Sequence, residues 1–167
     1  AILEAIANGA TRVTDIANRI DKQASGISRY LQNLTQLALV ERETPVTDPD
    51  GRGVYKLTDQ FVRFWFRYVS PNRGTLEQGR TEPVRNSIAE TLPTHTSFAF
   101  EEVCRQAART PSFPVSSSRV GRWWYSEQEI DVVGLIPQTK TLLLGECKWT
   151  NSPVGQSLLD DLKATEP

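Results

Sequence analysis

Ile130-Asp131-Val132-Val133-Gly134-Leu135 and Leu142-Leu143-Leu144-Gly145-Glu146-Cys147-Lys148-Trp149 are the stretches on which the fold turns. Both are short apolar runs rich in branched residues, joined through Pro137-Gln138-Thr139-Lys140. They read as a β-hairpin or a pair of neighbouring strands. Asp131 stands just inside the first run, and Glu146 and Lys148 stand at the exit of the second. Side chains two apart on a strand share a face, so Glu146 and Lys148 point together and Cys147 points away. Antiparallel pairing across the turn would bring Asp131 beside them, putting two carboxylates and an ammonium in one patch.

Such an Asp…Glu-x-Lys patch suits metal-dependent phosphodiester hydrolysis. Mg²⁺ prefers oxygen ligands and is held by one or two carboxylates, with waters and a substrate phosphate completing its shell. The metal acidifies water and stabilises the displaced oxygen. A neighbouring lysine can hold the attacking water or screen charge on the phosphate. The competing reading is a solvent-exposed Glu146–Lys148 ion pair with Asp131 capping a turn. Both runs read as buried strands, which rarely carry charge without a reason, and this favours the site.

Outward from these strands, Phe98 to Ala108 precedes them as a helix, with Phe100, Val103, Cys104 and Ala107 as its buried stripe. Glu101 and Glu102 border that stripe, where one of them can turn toward the sheet. Ser116 to Tyr125 reads as a first strand. After Trp149 a helix is expected from Val154 to Lys163, with Gln156 in its first turn. The order is helix, three strands, helix, and an edge strand would be expected next.

The N-terminal part reads differently. Ile2, Leu3 and Ile6 mark a first helix ended by Asn8-Gly9. Thr11 is placed to cap a second, with Val13, Ile16, Ala17 and Ile20 apolar. A third runs from Ala24 to Leu37, with Ile27, Tyr30, Leu31, Leu34 and Leu37 apolar. Residues 39–44 and 54–57 read as strands around a turn-rich loop at 47–53. Three short helices and a hairpin make a winged helix-turn-helix, in which the third helix would enter the major groove and the loop would form the wing. Arg19, Lys22, Arg29 and Arg52 are candidates for phosphate contacts, and Gln32 and Asn33 for base edges. Use of the same fold as a protein-binding or interdomain module is the alternative.

Phe61-Val62-Arg63-Phe64-Trp65-Phe66-Arg67-Tyr68-Val69 follows Asp59-Gln60 as an aromatic helix. Apolar residues cover most of its circumference, so burial between domains is expected rather than nucleic-acid stacking. Ser70 to Gly74 breaks it, and a further helix should open at Thr81-Glu82-Pro83 and close at Pro93. The expected domains are 1–69, a connector over 70–96, and 97–167.

Composition bounds these readings. The chain has 167 residues with 19 basic and 20 acidic side chains and a net charge of −1. DNA binding must therefore come from a local patch, not from overall charge. Cys104 and Cys147 have neither zinc-ligand spacing nor a disulfide framework, which fits a reducing cytoplasmic setting. His95 is the one histidine and cannot build a zinc site alone. There is no apolar run of membrane-spanning length and no signal peptide. There is no methionine, and the first residues already have mid-helix character. A piece of a longer protein is the expectation.

With Glu101, Asp131, Glu146-Cys147-Lys148 and Gln156 in this order of elements, residues 97–167 resemble the PD-(D/E)xK nuclease fold of the restriction-endonuclease-like superfamily. The resemblance implies an α/β domain around a central mixed sheet, Asp131 and Glu146 as ligands of Mg²⁺ or Mn²⁺, and Lys148 as the catalytic lysine. It implies Glu101 as the helix-borne acid of the Holliday-junction-resolvase branch and Gln156 as the glutamine of the following helix. The departure is Ile130 where a proline often precedes the acid.

Almost the whole chain is similar to the C-terminal region of archaeal-type P-loop ATPases, a domain of unknown function. The likeness is carried by Ala5 to Ala10, Ser28-Arg29-Tyr30-Leu31, Phe61 to Arg67, Phe100 to Arg105, Val120 to Trp124 and Gly145 to Trp149. It implies an AAA-like ATPase upstream, which would bind the ATP, since no motif of this chain does. The leading expectation is a metal-dependent deoxyribonuclease positioned by the winged helix. The alternatives are an inactive nuclease fold that binds DNA or a protein partner, and a winged-helix transcriptional regulator.

Overall fold

The computed structural model describes residues 1–165. They divide into one unit of residues 1–43 and 53–92 and a second of residues 44–52 and 93 onward. Residues 44–52, expected in the first domain, group with the second unit, and the division at 92/93 falls within the expected connector of 70–96.

The first unit begins with α1 (Ile2–Ala7), α2 (Val13–Arg19) and α3 (Ala24–Gln36). Gly9 ends α1 at φ 93°, a left-handed backbone that glycine adopts without steric cost. Thr11 does not cap α2. Arg12 holds the cap position, and the Thr11 carbonyl instead accepts the Tyr55 N–H at 2.7 Å. Asp21 turns the chain between α2 and α3 at φ 53°. Ala5, Ile6, Ile16, Ala17, Ile27 and Leu31 meet in one apolar core with Val40 and Leu57. Those last two are opposite partners in the antiparallel hairpin of β1 (Val40–Glu43) and β2 (Val54–Leu57). Tyr30 and Leu37, expected in the apolar stripe of α3, are instead exposed at its edge. Three helices and an antiparallel hairpin are formed as the sequence predicts.

Asp59 caps α4 (Gln60–Phe64) by accepting the N–H groups of Phe61 and Val62 at 2.7 and 3.0 Å. The chain then passes through a π turn at Trp65–Val69 and a 3₁₀ turn at Ser70–Asn72 into α5 (Arg73–Glu77). Val62 and Phe66, four apart, pack on the helical core, and Tyr68 is buried with its hydroxyl 2.9 Å from that of Thr91. Phe61 and Trp65 remain exposed, so the expectation of an aromatic helix buried all round does not hold.

Pro93 does not end a helix. It lies within α6 (Glu82–Ala108), a continuous run of 27 residues. The missing proline N–H frees only the Ala89 carbonyl, and both residues are exposed, so water can serve that carbonyl.

The second unit contains β3 (Arg119–Tyr125), β4 (Gln128–Ile136) and β5 (Thr141–Gly145) in the order β3-β4-β5, antiparallel throughout. Tight turns with left-handed Ser126 and Lys140 join them, and turns of this kind permit only antiparallel pairing. The expected mixed sheet is not formed among the described residues. The register is shifted at one point: β3 advances from Gly121 to Trp123 while β4 moves from Val133 to Ile130. Asp131 and Val132 therefore stand opposite Arg122 as a β-bulge. The bulge places Ile130 and Val133 in one cluster with Val46 and Trp123. Val132 falls in another, with Val120 and Ala108, against which Cys104 and Cys147 pack.

The loop expected as the wing belongs, up to Arg52, to this unit. The Val46 N–H donates to the Arg122 carbonyl at 2.8 Å, and Val46 is buried beside Trp123. A Cβ on Gly121 would lie 3.0 Å from the Val46 Cβ, which is why β3 carries a glycine there. Last comes α7 (Gln156–Ala164), with Leu162 packed on the same cluster.

Candidate functional site

The β4–β5 register pairs Val132 with Gly145, so the next step along each strand sets Asp131 against Glu146. Asp131 is 8% exposed and its Oδ2 accepts the Cys147 N–H at 2.9 Å. The Lys148 ammonium donates to Glu146 Oε1 at 2.6 Å. Cys147 points the other way, into the apolar cluster with Cys104. The two-apart arithmetic of an extended chain thus holds through Lys148, although β5 itself ends at Gly145.

Helix α6 supplies a third carboxylate. The predicted stripe of Phe100, Val103, Cys104 and Ala107 is rotated by one position. Val103 and Ala107 are exposed, while Glu101, Cys104, Arg105 and Ala108 form the inward face at helical spacing. Arg105 is the cause. It is 3% exposed, donates through Nη1 to the Asp131 carbonyl at 2.9 Å and through Nε to Glu102 at 3.1 Å, and lies 3.9 Å from Glu101. A buried guanidinium needs such partners, and in meeting them it brings Glu101 to the Asp131 end of the sheet.

Glu101, Asp131, Glu146 and Lys148 line one cavity of about 440 Å³, together with Arg122 and Glu129. Arg122 pairs with Glu129 and lies over the Trp124 ring at 5.7 Å. Burial pushes the Glu101 carboxyl above its usual range, and the Asp131 charge pushes it further. The hydrogen bond to Glu146 holds the Lys148 ammonium above its usual value. Burial first, and then the neighbouring Cys104, raise the Cys147 thiol to about 12.

Gln156 is not brought in. It is exposed, donates to Asp160 of its own helix at 3.1 Å and does not line this cavity. Arg105, Arg122 and Glu129 are residues that sequence reasoning missed. The signal for Arg105 was its i, i+4 spacing from Glu101, which one reads as an ordinary exposed helix pair.

On α3, Arg29, Gln32 and Asn33 are exposed, as is Lys22 in the turn before it. Tyr30, 62% exposed on the same helix, adds a hydroxyl-bearing ring that the sequence had assigned to the core. Arg19 donates to the Asn8 carbonyl at 2.7 Å. Arg52 is exposed but belongs to the second unit, with residues 44–51.

Among the described residues no three His, Cys, Asp or Glu side chains are grouped so as to hold a metal ion between them. The oxygen-only donors Asp131 and Glu146 instead fit the sparse protein ligation that Mg²⁺ accepts. Asp131 Oδ1 and Glu146 Oε2 are the oxygens left outside the two hydrogen bonds described.

The architecture defines a class: a helix-turn-helix unit together with an α+β unit that carries an acidic cavity and a lysine. Residues 65–161 match the DUF234 family, archaeal and bacterial proteins of unknown function, and the chain belongs to that family. Residues 1–44 match the IclR helix-turn-helix domain, which suggests DNA binding. The chain is 32% identical over 154 residues to a protein of Methanocaldococcus jannaschii named "Uncharacterized protein MJECL04". That match covers 89% of this chain and 35% of the relative, so the chain spans about a third of the relative's length. No solved structure matches. No helix among the described residues is long and apolar enough to cross a membrane.

Proposed function

We propose that the second unit is a Mg²⁺- or Mn²⁺-dependent nuclease-like domain that hydrolyses DNA phosphodiester bonds, and that the helix-turn-helix unit binds DNA. The observation that carries this reading is the convergence of Asp131, Glu146 and Glu101 from separate elements on one cavity with Lys148. Asp131 and Glu146 would hold the cation, which would acidify a water and offset charge on the phosphate. Lys148 would screen the negative charge that builds on the phosphate oxygens as water adds to phosphorus and the ester P–O bond breaks. Glu101, with its raised affinity for a proton, would accept one from the attacking water. Gln156 has no part in this assignment as α7 stands. On the DNA-binding side, Arg29, Gln32 and Asn33 on α3 supply one charged and two amide side chains to a groove, with Lys22 beside them. The resemblance to archaeal-type ATPases adds an upstream P-loop ATPase in the same protein as a partner.

Incubation with DNA and Mg²⁺ or Mn²⁺ tests the chemistry. Cleavage should fall by about 10²-fold or more in Lys148→Ala and in Asp131→Asn, in the range found for losing one transition-state stabiliser. Cleavage that survives both changes would sink the assignment. The 2.6 Å Glu146–Lys148 bond favours a second reading, in which the pair satisfies itself and the unit binds DNA or protein without cutting. That reading predicts binding that is lost steeply with salt and no metal-dependent product.

A further inference from the structure

Trp149 is 53% exposed, although an indole gains more from burial than most side chains. It is not loose on the surface. Phe100 braces it, with ring centroids 5.4 Å apart and planes at 55°. Lys148 and Trp149 also form a wall shared by two cavities. On one side lies the acidic cavity of about 440 Å³. On the other lies a cavity of about 340 Å³ whose apolar lining comes from Trp149, Pro153, Val154 and Leu158. That volume is within the range of about 300–1,000 Å³ typical of ligand pockets.

We propose that this second cavity, with Trp149 as its platform, is a stacking subsite for an unpaired nucleobase, which makes single-stranded DNA the substrate of the neighbouring acid site. The proposal rests on the nuclease reading above for its substrate, but base binding can be read without cleavage. A phosphate beside Lys148 carries a base on the adjoining sugar, and Trp149 is the next residue along the wall. Away from a duplex end, only an unpaired base can offer its face to an aromatic ring, since interior duplex bases are stacked on both sides and paired with one another. Charge alone holds little DNA here: Glu101, Glu129, Asp131 and Glu146 outnumber Arg122 and Lys148 around the acidic cavity. Stacking on Trp149 supplies attraction that does not depend on charge.

The test measures binding of fluorescein-labelled oligo(dT), and of a blunt duplex, to the whole protein in EDTA, where no cation supports cleavage. Trp149→Ala should weaken oligo(dT) binding by about 5- to 150-fold, the range for one base–aromatic stack, and leave duplex binding unchanged. Trp149→Tyr should retain most of the affinity. Oligo(dT) should quench the wild-type tryptophan emission more than that of Trp149→Phe, which keeps Trp65, Trp123 and Trp124; this readout serves if the alanine variant does not fold. Equal loss for single strand and duplex, no loss for either, or no oligo(dT) binding by the wild type would each overturn the subsite. Stacking without cleavage in Mg²⁺ would retain the subsite and remove the nuclease reading. Cleavage of single strand and duplex alike, unchanged in Trp149→Tyr and Trp149→Ala, would do the reverse.

Discussion

The two units manage polarity in opposite ways. In the first, one apolar core runs from α1 through β2, and the candidate DNA-facing side chains of α3 all lie outside it. In the second, the apolar residues form two small clusters, and His95, Arg105 and Asp131 are buried as well. None of the charged side chains of the first unit is buried to that degree among the described residues. Burying a charge is unfavourable unless it is paired and hydrogen-bonded, so a fold that does so carries a constraint other than stability. The helix-turn-helix can change its exposed face without disturbing its core. The second unit cannot change its site without disturbing its packing, because Arg105 ties α6 to the backbone of the residue that bears the candidate ligand.

The largest effect on stability should come from the apolar core. Leu31 is fully buried at the centre of the first unit. Leu31→Ala should cost about 2–5 kcal/mol, from lost transfer energy and the cavity left behind. Urea unfolding followed by circular dichroism measures it. The substitution should leave Mg²⁺-dependent cleavage of short single strands in place wherever the second unit remains folded. A smaller loss, below about 1 kcal/mol, would mean that this core is loosely packed and the contrast between the units is wrong.

An intermediate effect should come from Arg105→Met, which keeps an unbranched stem as long as that of arginine up to Nε and removes the guanidinium and its charge. The Asp131 carbonyl then loses the Arg105 donor, while the Glu102 carboxylate keeps Arg109 at 3.2 Å. A buried acceptor left without a partner costs about 1–3 kcal/mol. The same change should lower cleavage, because Arg105 positions both Glu101 and Asp131. Equal stability with unchanged cleavage would show the arginine to be replaceable by an apolar residue, as some buried ion pairs are.

How far these features could be read beforehand follows the same division. The helices and hairpin of the first unit were legible because apolar spacing and turn residues report on packing against a single core. The Glu146–Lys148 pair and its approach to Asp131 were legible from the two-residue period of extended chain. The bulge at Asp131 and Val132 was not, because an extra residue in a strand leaves no mark in a short apolar run. Nor was the rotation of α6. Its periodicity places Phe100, Val103 and Ala107 inward, and only the partners of Arg105, distant in sequence, show that a charged residue takes that face. Val46 was hidden for a similar reason: a lone valine between Pro45 and Thr47 looks like loop, and the glycine that receives it is Gly121. Pro93 misled because its effect depends on exposure of the carbonyl four residues back.

The smallest expected effect is on pH dependence, and it isolates the polar side of the contrast. Burial and the Asp131 charge raise the Glu101 carboxyl above its unfolded value. At low pH, below both values, Glu101 is protonated in the folded and unfolded chain alike and contributes nothing. As pH rises through the unfolded value, the unfolded chain loses its proton first, and the folded state becomes relatively less stable until the folded value is passed. Glu101→Gln removes this penalty. In EDTA the variant should therefore match the wild type at acid pH and be the more stable protein near neutrality, by thermal melts across the range. The guanidiniums of Arg122 and then Arg105, the latter 3.9 Å away, act in the opposite direction and lower the carboxyl, but more weakly than burial and Asp131 raise it. A variant that is less stable than wild type at neutral pH would mean that attraction to Arg122 and Arg105 wins. Glu101 would then be a structural partner of these two arginines and not a carboxylate held ready to take a proton beside Asp131.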